Sequence, residues 1–337
     1  MKLRQLGRFG PTVSAVGVGC MPMSGTYGTS SESDSIAVLH RAVELGVSLF
    51  DTADIYGQGH NEQIVGRALK GRRDRVVVAT KVGGVMSRDD KWTSGFNGRP
   101  EYVKEACDAS LGRLGIDVID LYQLHRVDPE TPIEDTVGAM ADLVGSGKVR
   151  FIGLCEVAPS DLKRAAAVHP IATLQSEYSL IERDIEREML GLCEHLGVGL
   201  VPYAPLGRGL LGGSITSDTK LEATDIRRSG QMPRVATENL AGNVALAQVV
   251  ADIAAVYDAT PAQVALAWLL SRRSWIVPIP GSGPVEYLEE NVLAPDLELD
   301  PRDMRLLEGL ATQVRGDRYG AEGTAQAALV SPARPTP

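Results

Sequence analysis

The sequence predicts an α/β fold, a (β/α)8 or TIM barrel, with an N-terminal β-hairpin and long loops at the C-terminal face. Eight short apolar, β-branched runs recur along the 337 residues, each followed by a helical period. Near-continuous apolarity is typical of strands buried on both faces, as in a parallel sheet covered by helices. Eight such alternations fit either a doubly wound sheet or a closed barrel.

Two observations favour the closed barrel. The segment from Gly17 to Pro22 after the first run lacks the GxGxxG pattern that opens a dinucleotide-binding sheet. The candidate polar residues also fall at the ends of consecutive strands, where barrel enzymes keep their chemistry. We therefore predict a single barrel domain over residues 1–315 and a partly mobile tail over 316–337.

The predicted elements follow in order from the N-terminus. Residues 2–6 and 11–14 flank Gly7 and Gly10 and predict a hairpin, which we expect to close the bottom of the barrel. The predicted strands are 15–18, 47–50, 76–80, 118–122, 149–154, 171–174, 198–201 and 275–279.

The helices between the strands carry start and stop signals. Ser31 begins a capping-box pattern, and Gly46 stands where a left-handed residue ends a helix. Pro100 opens another helix that Gly115 closes, and Ser160 is the predicted cap of a third.

Charge and cysteine usage exclude several classes of protein. A net charge of -9 argues against a nucleic-acid partner, because such proteins carry a basic face. The 4 cysteines lie far apart without CxxC spacing and are expected to be reduced thiols. We expect no signal peptide and no membrane span, and therefore predict a soluble cytoplasmic protein. Because the sequence has no HxH or HExxH spacing, we predict no bound metal. The sequence sets no oligomeric state.

Three long polar segments interrupt the alternation, at residues 83–99, 207–239 and 316–337. Loops of this length in a compact domain are usually functional or disordered. We expect the first two to line the mouth of a site, with Trp92 walling the substrate, and the last residues of the tail to be mobile.

Four polar side chains lie at or just beyond the ends of three neighbouring predicted strands. Asp51 ends the second strand and Tyr56 follows in the next loop, while Lys81 ends the third strand and His125 the fourth. One such residue alone is most often a solvated boundary residue. Four together at the C-terminal rim of a barrel predict an active site.

This set suits one kind of chemistry. A phenol has an unperturbed pKa of about 10, so it donates a proton poorly unless its anion is stabilised. A lysine ammonium stabilises that anion, a carboxylate keeps the lysine charged, and an imidazole can hydrogen-bond the substrate oxygen. The set can therefore protonate an oxygen on which negative charge develops, as when hydride adds to a carbonyl.

The stretches around these residues resemble the aldo-keto reductase superfamily, in family order over about residues 2 to 315. They are FDTADIYGQGHNE (50–62), ATKVG (79–83), LGIDVIDLYQLH (114–125), GSGKVRFIGL (145–154), QSEY (175–178), PYAPLGRG (202–209) and IPGSGPVEYLEEN (279–291). The resemblance implies a (β/α)8 barrel that reduces a small-molecule aldehyde or ketone with a nicotinamide cofactor. Its catalytic tetrad maps onto Asp51, Tyr56, Lys81 and His125, with Tyr56 as general acid and both Tyr56 and His125 facing the substrate.

The resemblance also implies cofactor contacts. Tyr203 matches the aromatic on which the nicotinamide stacks, Gln175 the side chain that binds the carboxamide, and Cys155 a position where the family often has Ser. The remaining expected contacts are Leu206, Gly207, Arg208 and Gly209 over the pyrophosphate, Gly281 and Ser282 in the turn after the eighth strand, and Glu290 and Asn291 at the adenine.

The resemblance implies NADP(H), while the turn from Gly281 to Pro284 lacks the Lys or Arg that usually binds the 2′-phosphate and so leaves NAD(H) open. Two alternative functions remain. Lys81 could form a Schiff base, as in aldolases, although Asp51 would keep its amine protonated. The chain could instead be a redox-sensing subunit with slow turnover, since some relatives serve potassium channels.

Overall fold

The computed structural model describes residues 1–86, 95–228 and 230–320. Its strands are Leu3–Gln5 (β1), Thr12–Ser14 (β2), Val18–Gly19 (β3), Leu49–Asp51 (β4), Val77–Val82 (β5), Gly84–Val85 (β6), Gly95–Phe96 (β7), Ile119–Leu124 (β8), Val149–Cys155 (β9), Ile171–Glu177 (β10) and Gly199–Tyr203 (β11). Its α-helices are Glu32–Glu44 (α1), His60–Leu69 (α2), Pro100–Leu114 (α3), Ile133–Gly145 (α4), Pro159–Val168 (α5), Met189–Leu196 (α6), Thr237–Val256 (α7), Pro261–Arg272 (α8), Val285–Asn291 (α9) and Pro301–Glu308 (α10).

A parallel sheet of seven strands forms the centre of the fold, in the order β11, β10, β9, β8, β5, β4 and β3. The helices cover its outer face, so that one apolar cluster lies between sheet and helices and a second fills the interior. The interior cluster contains Leu6, Val13, Leu49, Ala79, Leu121, Ala172, Val201, Val277 and Ile279. The predicted α/β barrel is confirmed.

The eighth predicted strand, 275–279, is an extended segment between β11 and β3, joined to each by backbone hydrogen bonds. These are Leu200 N to Trp275 O (3.1 Å), Val277 N to Leu200 O (2.9 Å), Ile279 N to Pro202 O (3.0 Å), Gly17 N to Pro278 O (2.9 Å) and Gly19 N to Pro280 O (3.1 Å). Pro278 and Pro280 have no N–H to donate, which limits the pairing to isolated bridges. The segment nevertheless closes the barrel.

The predicted N-terminal hairpin is confirmed, with β1 and β2 antiparallel and Leu3 opposite Ser14. Gly7 forms a bridge with Val198, and Arg8 N donates to Gly197 O at 2.6 Å, which holds the hairpin against the start of β11. The hairpin therefore lies at the N-terminal, bottom end of the barrel, as expected.

A glycine in β11 allows this close approach and gives a first prediction. A Cβ at Gly199 would lie 2.6 Å from the carbonyl carbon of Leu6 and 2.7 Å from the nitrogen of Gly7, both backbone atoms that cannot rotate away. We expect Gly199→Ala to lower the free energy of unfolding by about 1–3 kcal/mol, measured by urea denaturation.

The control is Gly191→Ala in α6, where a Cβ would meet nothing within 4 Å. Because alanine favours a helix interior, this variant should be more stable than wild type by about 0.5–1 kcal/mol. Equal effects of the two substitutions would show that the hairpin does not pack on β11 this tightly.

Most of the residues that the sequence predicted to begin or end a helix do so in the structure. The Ser31 side chain accepts a hydrogen bond from Asp34 N, Pro100 opens α3, and Gly115 ends it with φ 64°. The prediction that Ser160 caps a helix is wrong, because Pro159 takes the first helical position and Ala158 precedes it. Pro284, expected at the first position of α9, likewise stands one residue before that helix.

Two of the three predicted long loops lie at the C-terminal rim of the barrel. The first begins and ends in the short hairpin β6–β7, and its residues 87–94 lie outside the described residues. The second crosses the mouth, where Ile226 N donates to Thr26 O at 3.0 Å and the Thr29 hydroxyl donates to Glu222 at 2.7 Å. Of the predicted tail, residues 321–337 lie outside the described residues.

One helix among the described residues, α7, is long and apolar enough to cross a membrane by length and composition alone. The outer helices of a barrel can meet the same criterion, and α7 packs against α8. Its buried side chains include Leu246, Val250 and Ile253, so it belongs to the helical layer around the sheet.

Candidate active site

The carboxyl ends of β4, β5 and β8 bring the four predicted catalytic side chains to one place at the rim. Lys81 is completely buried, and its Nζ donates to Asp51 Oδ1 at 2.5 Å, to Thr52 O at 2.8 Å and to Tyr56 Oη at 3.3 Å. The amine thus lies between the carboxylate and the phenol.

The imidazole of His125 meets the other side of the phenol. The rings of Tyr56 and His125 are edge to face, with centroids 5.9 Å apart and planes at 82°. His125 N donates to Val82 O at 2.7 Å, which fixes the backbone of this residue just past the end of β8. The structure therefore brings all four side chains together around one small volume.

Two glutamines donate hydrogen bonds to the Asp51 carboxylate, which in turn binds Lys81. Asp51 Oδ2 accepts from Gln123 Nε2 at 3.0 Å and from Gln175 Nε2 at 2.7 Å. Gln123 was not among the predicted site residues. Its signal was present in the sequence, since alternate residues of a strand share a face and Gln123 stands two before His125.

Burial and charge set the protonation of these groups. Burial is the largest single effect on the Lys81 amine and disfavours its charged form, but the adjacent Asp51 carboxylate, Tyr56 and Cys155 together outweigh burial and raise the lysine pKa. Burial raises the pKa of Tyr56 to about 12, against the opposing effect of the Lys81 charge. Burial, with the charges of Lys81 and Arg126, lowers the pKa of His125 well below its ordinary value. At neutral pH the site therefore holds a charged lysine, a protonated phenol and a neutral imidazole.

A second carboxyl lies behind the Tyr56 loop. Burial, followed by the charge of Glu62, raises the pKa of Asp54 to about 7, and Asp54 Oδ1 is buried with no hydrogen-bond partner among the described residues. The folded chain therefore holds a proton that the unfolded chain, with an ordinary aspartate, loses at about pH 4. This group makes the fold less stable as pH rises from about 4 to 7.

We therefore expect Asp54→Asn to gain stability relative to wild type as pH rises. The difference in the free energy of unfolding between variant and wild type should grow by about 1–3 kcal/mol from pH 5 to pH 8, measured by urea denaturation. Asp117→Asn, which changes an exposed carboxylate, serves as the control. A difference that stays constant over this range would contradict the raised pKa.

The predicted nicotinamide contacts lie next to the tetrad. Tyr203 ends β11, and its hydroxyl lies 2.6 Å from that of Tyr319. Gln175 is buried in β10, with its amide nitrogen bound to Asp51. The Cys155 thiol lies 4.0 Å from Gln123 Oε1, and burial raises its pKa to about 12, so it is a neutral buried thiol.

The predicted pyrophosphate loop after β11 makes a sharp turn in which Gly207, Arg208 and Gly209 have φ of 57°, 57° and 102°. The φ of 102° at Gly209 is a backbone conformation that L side chains rarely adopt, so this position favours glycine. The Arg208 guanidinium donates to Glu177 at 2.8 Å, which directs it to this carboxylate. Leu206 precedes the turn and packs against the core.

Carboxylates and an arginine that the sequence analysis missed lie across the mouth. Arg318 pairs with Glu156, and its Nε donates to Glu177 at 2.8 Å. Its Nη2 also donates to Tyr203 Oη at 2.5 Å. Residues so far apart along the chain give no local signal, and only the Glu177 position lies in a stretch that the resemblance singled out.

The predicted adenine end lies at the turn before α9. Asn291 Nδ2 lies 3.4 Å from Ser282 Oγ, and Asn291 Oδ1 is buried without a partner among the described residues. Gly281 packs on Pro22, because a Cβ there would lie 2.7 Å from the proline Cγ. Glu290 precedes Asn291 in α9. Trp92, the predicted substrate wall, lies outside the described residues.

Comparisons with known proteins agree with this architecture. Residues 15–312 match the model of the Aldo/keto reductase family. The chain is 42% identical over 327 residues to "Probable aldo-keto reductase 1" of Glycine max, with 94% of this chain and 91% of that protein covered.

Two solved structures extend the likeness to the fold. The glycerol dehydrogenase AKR11B4 from Gluconobacter oxydans matches with a TM-score of 0.83 at 26% identity, over 94% of this chain and 97% of that one. The aldo-keto reductase AKR11C1 from Bacillus halodurans, in its holo form, matches with a TM-score of 0.75 at 30% identity, over 92% and 96% of the two chains.

Proposed function

The chain belongs to the aldo/keto reductase family, and from that premise we propose that it reduces an aldehyde or ketone to the alcohol with NAD(P)H, with Tyr56 as the proton donor. Family membership supports an oxidoreductase that acts on small carbonyl compounds. The observation that carries the finer proposal is the position of Lys81 Nζ, 2.5 Å from Asp51 Oδ1 and 3.3 Å from Tyr56 Oη.

Each side chain of the tetrad has one task in this proposal. The neutral imidazole of His125 orients the carbonyl oxygen, and the Tyr56 hydroxyl donates its proton to that oxygen as negative charge develops. The ammonium of Lys81 stabilises the phenolate that remains, and Asp51 keeps this amine charged. Gln123 and Gln175 hold Asp51 in place and are positioning residues.

The residues along the mouth fit a nicotinamide dinucleotide. Asn291 Oδ1, buried and unpartnered, is an acceptor suited to an amino group such as that of adenine. When bound, the cofactor supplies the hydride. Tyr203, Gln175 and Cys155 would hold its nicotinamide end, and Leu206, Gly207, Arg208, Gly209, Gly281, Ser282, Glu290 and Asn291 the remainder.

The choice between NADP(H) and NAD(H) turns on the 2′-phosphate. The family usually meets it with a cation in the turn from Gly281 to Pro284, and this chain has none there. The adjacent helix α9 contributes acidic residues and no cation. Arg41, which contacts this helix from α1, is already paired with Glu289 at 2.7 Å. We propose that both cofactors support reduction, with the preference for NADPH weaker than several hundredfold in kcat/KM.

The alternatives have less support. A Schiff-base lyase needs an uncharged lysine, whereas three acceptors surround Lys81 Nζ and its pKa is raised. A redox-sensing subunit would bind the cofactor without steady turnover.

The four cysteines Cys20, Cys107, Cys155 and Cys193 are buried and unpaired, which supports the proposed cytoplasmic location.

One experiment tests the activity. Oxidation of NADPH and NADH is followed with a panel of aldehydes, quinones, pyridoxal and sugar-like ketones. We expect carbonyl-dependent oxidation with both cofactors. Quenching of cofactor fluorescence on binding, without consumption for any carbonyl, would favour the regulatory subunit, and borohydride trapping of substrate on Lys81 would favour the lyase.

A further inference from the structure

The loop that carries Tyr56 is closed at its base by a hydrogen bond between two side chains. Thr52 begins this loop directly after β4, and Asn61 ends it in the first turn of α2. The Thr52 hydroxyl donates to Asn61 Oδ1 at 2.6 Å, and both side chains are fully buried. Tyr56 therefore lies in a loop whose two ends are bound to each other.

Asn61 also binds the base of this loop to the segment that follows β3. Its amide nitrogen donates to the Cys20 carbonyl at 2.9 Å and to Ser24 Oγ at 2.8 Å. The oxygen and the nitrogen of this buried amide are thus both engaged, so that any other orientation of the amide would break hydrogen bonds. The acceptor that Asn61 offers to Thr52 is therefore fixed.

Thr52 contacts the lysine of the tetrad as well. Its carbonyl oxygen accepts from Lys81 Nζ at 2.8 Å, and its backbone nitrogen donates to Ala79 O in β5 at 2.8 Å. The same ammonium lies 3.3 Å from Tyr56 Oη. One residue therefore provides both the carbonyl that binds the amine and the hydroxyl that closes the loop of the phenol.

The backbone of the loop between these two ends is strained. Gly57, Gln58 and Gly59 follow Tyr56 with φ of 56°, 53° and 88°. A residue with a side chain, such as Gln58, rarely adopts the left-handed region, and conformations of this kind persist where surrounding contacts hold them. Loss of the hydrogen bond at the base would allow the loop to relax and to move the phenol away from Lys81.

We propose that Thr52 and Asn61 are positioning residues that set the distance between the Tyr56 hydroxyl and the Lys81 ammonium during reduction. The inference rests on the proposed function, because the two residues act through the proton donor Tyr56. Neither side chain is charged, so the pair fixes this geometry and adds no net charge beside the amine. A displacement of about 1 Å in a reacting group can lower a rate about 10²-fold.

The test removes the Thr52 hydroxyl and keeps the shape of the side chain. Thr52→Val loses the donor to Asn61 and retains the carbonyl that accepts from Lys81. With NADPH and the aldehyde that wild type reduces fastest, its single-turnover rate should fall by about tenfold to a hundredfold, while the dissociation constant of the cofactor stays within about threefold. Its solvent deuterium isotope effect should exceed that of wild type, because the proton of Tyr56 must then cross a longer gap.

Further variants distinguish positioning from a general loss of packing. Thr52→Ser keeps the hydroxyl and should retain at least about a third of the wild-type rate. Thr136→Val removes another buried threonine hydroxyl, which donates to the Gly98 carbonyl at 2.7 Å, and should react as wild type does. If Thr52→Val does not fold, Thr52→Ala replaces it, because a smaller side chain leaves space for a water molecule to bind Asn61 Oδ1.

A rate in the valine variant equal to that of wild type would overturn the inference. An unchanged isotope effect, a loss confined to cofactor affinity, or an equal loss of rate in Thr52→Ser or Thr136→Val would overturn it too. Each of these results leaves the carbonyl reductase intact. Failure of wild type to oxidise the cofactor with any carbonyl would instead reject the proposed function, and this inference with it.

Discussion

Tyr56→Phe is expected to lower kcat by about 10² to 10⁴-fold, because in the proposed mechanism this hydroxyl supplies the proton that neutralises the developing alkoxide. The phenol lies 3.3 Å from Lys81 Nζ, and its ring faces His125 edge to face. Phenylalanine keeps the ring and these packing contacts, so the dissociation constant of the cofactor should change by less than about threefold. Single-turnover kinetics and fluorescence titration measure the two quantities separately.

The matched control is Tyr257→Phe, the same chemical change at a hydroxyl far from the site. Tyr257 Oη donates to Asp303 at 2.7 Å and accepts from Asp300 N at 2.8 Å, so its loss touches only the ends of α7 and α10. Its kcat should equal that of wild type. Retention of most activity in Tyr56→Phe would remove Tyr56 from the role of general acid.

The convergence of the four tetrad side chains could be predicted because the topology of the barrel largely determines it. Parallel strands of a barrel bring their carboxyl ends to one rim, so residues at the ends of β4, β5 and β8 must lie close together, whatever separates them in the chain. Asp51, Lys81 and His125 stand at those ends. The same rule predicted the barrel from eight apolar runs, although Pro278 and Pro280 reduced the last run to an extended segment.

The rest of the site depends on loop and C-terminal segments, whose positions no helical or strand periodicity of the sequence determines. Arg318 reaches Glu156 and Glu177 from the C-terminal segment, and the path of that segment across the mouth follows from packing rather than from a local pattern. Arg208 remains a predicted phosphate contact, and in this structure its guanidinium pairs with Glu177. Such pairings could not be read from spacing, because any of several arginines could reach these carboxylates.

Lys81→Met is expected to damage both the fold and the reaction, and the two effects can be separated. The amine is completely buried and is the cation bound to Asp51, so its removal leaves a buried carboxylate whose remaining donors among the described residues are Gln123 and Gln175. Breaking one side of a buried ion pair costs about 3–5 kcal/mol, and we expect the free energy of unfolding to fall by an amount of that order. Activity should fall at least about 10²-fold, because in the proposed mechanism the Tyr56 phenolate would lose its counterion.

The double variant Lys81→Met/Asp51→Asn separates the two causes. Removing the stranded carboxylate together with the amine leaves a neutral pair, and replacing both partners of a buried ion pair is often close to neutral for stability. We therefore expect urea denaturation to recover most of the lost free energy of unfolding while kcat stays as low as in the single variant. If kcat recovered together with stability, Lys81 would be a structural cation, and the phenol would not need its charge to donate the proton.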